Sequence, residues 1–152
     1  MSENAIVAVP DMKQELSADG GSIYCSVQGG TRADKAKVYN AMNNPQHKVA
    51  DCINKTIAIK DVLGEFIMVG NTTADGQPVL NEDGEQVMDT VPRVVLIDDK
   101  GEAYQAVSVG IYNAVKKLIA VFGAPTWNEP IHVTVKQVSL GTNKMLTLDV
   151  DE

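Results

Sequence analysis

A long strand interrupted by glycine, then a hairpin, a helix and a second hairpin, predict a mainly β fold with two helices. Their order is that of a five-stranded OB-like barrel with a helix between strands 3 and 4. An N-terminal strand and helix form an addition to it. The rival for the same elements is a generic α+β domain. At 152 residues the chain has the length of one domain, with enough apolar surface to bury a core.

Residues 1–21 are polar, end in Asp19-Gly20-Gly21 and read as a flexible arm. Residues 22–150 read as one OB-like domain, with 22–54 as the addition and 55–150 as the barrel. Ser22–Val27 predicts a short strand. Thr31 is placed to cap a helix from Arg32 to Met42, which Asn43-Asn44-Pro45 stops. Thr56–Val69 (TIAIKDVLGEFIMV) predicts a long strand, with Gly64 as the site of a bulge or bend that lets it serve two sides of the barrel. The polar stretch Asn71–Thr90 carries Asp75-Gly76 and Asp83-Gly84 turn signals and reads as a mobile loop or an extended hairpin.

Val91–Ile97 and Glu102–Val107 flank Asp98-Asp99-Lys100-Gly101, a hairpin signal. Ser108 then caps a helix over Val109–Phe122, in which Ile111, Val115, Leu118, Ile119 and Phe122 share one face. Gly123 and Pro125 end it. Ile131–Val138 and Lys144–Val150 alternate and form the second hairpin, followed by a short acidic tail at 149–152.

The net charge of -7 is unevenly spread. Acidic residues dominate 1–21, 72–89 and 149–152, whereas twelve of the thirteen Lys and Arg lie outside those segments. A basic body with acidic ends can track a phosphate backbone, although such charges also serve solubility alone. No apolar run is long enough to span a membrane, and no secretory signal opens the chain. Cys25 and Cys52 have no CxxC or histidine partners and read as buried reduced thiols of a cytosolic protein, with one disulfide left open. No cofactor or metal is expected. Nor is an enzyme, because no phosphate loop, nucleophile elbow or HExxH motif occurs.

An OB barrel binds single strands on the face of its second and third strands, where cations meet phosphates and rings meet bases. An even-numbered turn at Asp98–Gly101 sets Arg93 opposite Ala106 and Val95 opposite Tyr104. Arg93 and Tyr104 then share one face, as a phosphate or base contact and a stacking ring. Lys60, Lys136 and Lys144 are expected to line the groove walls, and Tyr39 to extend the path. Each has a structural alternative: Tyr104 as half-buried core, the lysines as ordinary solvated side chains. Trp127, between prolines, is expected to plug a barrel end.

RVVLIDDKGEAYQAVSVGIYNAVKKLIAVFGAPTW, followed by PIHVTVKQV, resembles single-stranded DNA-binding proteins of small tailed bacteriophages, as does YNAMNNPQHKVADCINK upstream (Tyr39–Lys55). The resemblance implies coating of exposed single-stranded DNA in replication or recombination, in the cytoplasm of a bacterial host. Replication proteins docking at the acidic C-terminus and a homo-oligomer are further partners it leaves open. The alternative is a protein-interaction or virion module on the same barrel, indifferent to nucleic acid.

Overall fold

The structure, a computed structural model, describes residues 23–27 and 30–151. The expected arm at 1–21 lies outside the described residues. The elements in chain order are β1 (Tyr24–Cys25), α1 (Arg32–Asn43), β2 (His47–Lys48), a 3-10 turn (Val49–Cys52), β3 (Thr56–Gly70), β4 (Met88–Asp98), β5 (Ala103–Val107), α2 (Val109–Phe122), β6 (Ile131–Leu140) and β7 (Asn143–Val150). Mainly β with two helices, the chain is consistent with an OB-like fold.

The strands hydrogen-bond in the order β2-β5-β4-β3-β6-β7, and β1 pairs with β3 beyond the end of β6. This sheet curls into a half-barrel. The closed five-stranded cylinder is therefore corrected: among the described residues β5 and β7 form no ladder with each other. A strap made of β2 and the 3-10 turn fills the gap. His47 and Lys48 pair in parallel with Tyr104 and Gln105 of β5. Val49, 0% exposed, enters the core, and Ile53 bridges to Val135 of β6. Asn54, with φ 68°, then turns the chain into β3, in the left-handed conformation that asparagine tolerates better than most residues.

The inner face of the sheet packs against α2. Its core joins Val62, Val94 and Leu96 to Ile111, Val115 and Ile119 of the helix and to Val133 and Val135 of β6. Ser108 caps α2 by accepting from the Ile111 amide at 3.1 Å. Trp127 is buried in the same core and donates from Nε1 to the Gly123 carbonyl at 2.9 Å. A second, smaller core lies on the outer face, where Val38, Ala41 and Met42 of α1 meet Leu63, Val95, Ile97 and Ala103. Thr31 and Asp34 form a reciprocal capping box at the start of α1.

The long strand pairs with β4 along one edge and on the other serves two further partners, β6 at Thr56–Ile59 and β1 at Leu63–Gly64. Its irregularity, however, falls between Ile59 and Asp61, not at Gly64, which sits in regular register opposite Val94. The parity of the apolar residues explains why. Ile57, Ile59 and Val62 all belong to the inner core, so one extra residue is needed between Ile59 and Val62. Of the two expectations for Asn71–Thr90, the extended hairpin is realised. Bridges Thr72↔Pro78 and Leu80↔Gln86 fold its tip into two small turns, with Gly76 at φ 87° and Gly84 at φ 80°. Of the acidic tail, Asp149 and Val150 belong to β7, and the Asp151 amide donates to the His132 carbonyl at 2.8 Å; Glu152 lies outside the described residues.

Gly110 shows how closely α2 meets β7. A Cβ there would collide with the backbone carbonyl oxygen of Leu146. Replacing a helical glycine by alanine ordinarily stabilises by about 0.5–1 kcal/mol. Here the sign reverses, and Gly110→Ala is expected to destabilise by about 1–3 kcal/mol, read as a lower urea midpoint.

Candidate nucleic-acid interface

The β4–β5 turn decides which side chains share a face. Asp98 N–H donates to the Glu102 carbonyl at 3.0 Å and Gly101 N–H to the Asp98 carbonyl at 3.1 Å, with Gly101 at φ 85°. This is a three-residue loop ending in a left-handed glycine, so the register differs by one from that of an even-numbered turn. The Asp98 carboxylate holds the loop by accepting from the Lys100 and Glu102 amides at 2.9 and 2.8 Å. Arg93 therefore pairs with Val107 rather than Ala106, and Tyr104 with Leu96 rather than Val95. Strand alternation sends Arg93 to the outer face and Tyr104 to the inner one. The expected shared face of arginine and tyrosine is overturned.

Both side chains are engaged internally. Arg93, its side chain 11% exposed, donates from Nε to Gln105 Oε1 at 3.1 Å, from Nη1 to Glu65 Oε2 at 3.1 Å and from Nη2 to the Met42 carbonyl at 2.6 Å. It thus links three strands to the C-terminal turn of α1, whose last carbonyls favour a cation. The outer face of β4 and β5, where an OB barrel would take its ligand, is in part covered by that helix. Tyr104 stacks on His47 with centroids 4.7 Å apart and donates its hydroxyl to Asp98 Oδ2 at 3.1 Å. Burial, with that hydrogen bond and the nearby carboxylates, pushes the phenol up to about 12.

The other expected residues are scattered. Lys60 sits half-buried at the β3 bulge, beside Asp61, which accepts from Ser26 Oγ at 2.8 Å and Thr126 Oγ1 at 2.5 Å. Lys136 pairs with Thr147 and Lys144 with Ser139, positions that alternate to opposite faces of the β6–β7 hairpin. Tyr39 stands on α1 with 65% of its surface exposed. The structure does not gather the six into one patch.

Sequence reasoning missed the cations of the strap and of α1. Lys48 and Lys55 are exposed at its two ends, and Arg32, Lys35 and Lys37 are exposed along α1 next to Tyr39. The ion pairs among the described residues use other bases: Arg93 with Glu65, and His47 with Glu102 at 2.6 Å. The sequence signal for the strap lay in QHKVADCINK, where one valine among polar residues marks an anchor with cations on either side.

An OB-like half-barrel whose surface carries cations without carboxylate partners among the described residues has the form of a nucleic-acid-binding module. Over residues 18–151 the chain matches the family model described as Phage Single-stranded DNA-binding protein, and it belongs to that family. No curated protein and no solved structure matches it.

Two outcomes follow from these contacts. Arg93→Ala leaves Glu65, Gln105 and the Met42 carbonyl without their donor, and is expected to cost about 1.5–3 kcal/mol in denaturant unfolding. Tyr104 holds its proton in the folded state up to about 12, while the unfolded chain releases it near 10.0. The folded state binds more protons in that window, so this residue's contribution to stability is intact below pH 10 and is lost as pH rises toward 12. Unfolding followed across this range should show the decline, and Tyr104→Phe should flatten it.

Proposed function

We propose that the chain coats single-stranded DNA during phage replication or recombination, in the cytoplasm of the bacterial host, with little base preference and without catalysis. The observation that carries this reading is the family match across residues 18–151. The structure supports it with an exposed ring and dispersed cations that have no carboxylate partner among the described residues. Tyr39, with Lys35 one turn and Arg32 two turns before it on the same face of α1, is the stacking residue in this reading. Lys60, Lys136 and Lys144 make phosphate contacts that carry no sequence information. Arg93 and Tyr104 hold the platform rather than the ligand.

A second use of the same barrel is favoured by the folded hairpin tip, where Asp75, Glu82, Asp83 and Glu85 stand without a base. A basic surface of a replication protein would complement it, in place of the C-terminal tail.

Titration with a short dT oligomer at several salt concentrations tests the main reading. Affinity is expected to fall linearly on a log–log plot, with a slope of about -0.7 for each phosphate contacted. Tyr39→Ala should weaken binding by about 1–3 kcal/mol, roughly 5- to 150-fold, at every salt concentration. An oligomer that fails to bind at low salt would overturn the reading.

A further inference from the structure

We infer that the groove formed by the strap is a nucleotide channel, with DNA phosphates held by Lys48 and Lys55 and a base laid against Val107 and Leu146. The inference rests on the DNA-binding reading and deepens it, by naming the path the strand takes.

Two depressions meet at this place. The first, about 300 Å³, is lined by His47, Lys48, Cys52, Lys55 and Gln105, with Asp51 as its carboxylate. The second, about 230 Å³, is lined by Ala106, Val107, Ser108 and Leu146. Lys48 and Gln105 line both, so the two form one continuous trough along the seam between β5 and β7. One end is cationic and the other apolar, which is the division a nucleotide presents between phosphate and base.

Among the described residues, two ammonium groups and one amide NH2 of the trough are free to serve a ligand. Neither Lys48 nor Lys55 has a carboxylate partner within salt-bridge distance among the described residues. Asp51 is the carboxylate of the trough itself, and Glu102, just before β5, is already held by His47 at 2.6 Å. Gln105 accepts from Arg93 Nε at its Oε1, which orients the side chain and leaves the amide NH2 without a hydrogen-bond partner among the described residues. Such a donor at the shared wall suits a phosphate oxygen or a base carbonyl, and every base but adenine carries a carbonyl. At the apolar end Val107 is 52% exposed, a flat aliphatic surface of the kind on which a base of any identity can rest. By contrast the larger groove between α2 and β7, about 380 Å³, carries Lys117 as its cation and is the natural control.

The two cysteines supply a readout that does not depend on affinity. Cys52 lines the trough, whereas Cys25 packs in the outer-face core beneath α1. Iodoacetamide labelling of each thiol is followed by peptide mass, at mildly alkaline pH because burial raises both thiols, with and without saturating dT oligomer. The oligomer is expected to slow labelling of Cys52 several-fold and leave Cys25 unchanged. The paired variant Lys48→Ala/Lys55→Ala should lower the salt slope by about 1.4, at about 0.7 per phosphate, while Lys117→Ala leaves it unaltered. If the oligomer binds the wild-type chain but neither the protection nor the slope change is seen, the channel is refuted and the DNA-binding reading survives. If the wild-type chain binds no oligomer, both fall together.

Discussion

Arg93 is the constraint around which the outer half of the molecule is arranged. A guanidinium offers its donors in one plane, and here they reach β3, β5 and the end of α1 at once. An arginine so little exposed is tolerated only if its charge and its donors are satisfied together, which Glu65, Gln105 and the Met42 carbonyl achieve. Its position fixes where α1 can end, and hence where Val38, Ala41 and Met42 meet the sheet. The first turns of α1 are left exposed, with Tyr39 and the neighbouring cations outward. A residue chosen from the sequence as a ligand contact thus acts by placing other residues.

Leaving the barrel half-closed has a comparable logic. A fully paired cylinder needs β5 and β7 to run side by side, but β5 has five residues and α2 follows it after one. The start of α2 lies against β7 at Gly110, in the space a closing ladder would occupy. The edge of β5 is paired instead by β2, and the strap carries Val49 into the core before rejoining β6 through Ile53. The seam keeps its backbone largely paired while leaving a polar trough at the surface.

Much of this was legible in the residues and the rest was hidden for definable reasons. Both helices, with Thr31 and Ser108 as caps, follow from side chains that can accept a hydrogen bond just ahead of an apolar periodic run. The order of the long strands follows from alternation and turn residues. The β4–β5 register does not, because Val94-Val95-Leu96-Ile97 is apolar on both faces and carries no parity. Only the spacing of Asp98 and Gly101 pointed to the three-residue loop, and the same four residues also fit an even turn. The bulge at Lys60 could be read from the shift between Ile59 and Val62, but Gly64 offered a louder and misleading signal. The strap escaped notice because two residues of strand and one buried valine make too short a pattern for periodicity to detect.

How a chain of net charge -7 can serve a polyanion is a question of distance. The last rung that β4 shares with β5 is at Arg93, opposite Glu65 of β3, and the β3–β4 ladder runs on alone to Gly70. Five further rungs at about 3.3 Å each carry the acidic tip roughly 17 Å beyond that layer. Charges in water are screened over about 8 Å at physiological ionic strength, so the tip lies about two screening lengths from the Arg93 layer. The carboxylates of Asp75, Glu82, Asp83 and Glu85 therefore weaken little of the local field around Lys48 and Lys55, which lie beyond that layer. Net charge describes the whole molecule, but a DNA strand within a few ångströms of the strap responds to the charges it can reach. The folded hairpin is what keeps those two populations of charge apart, and a loop collapsed onto the barrel would not.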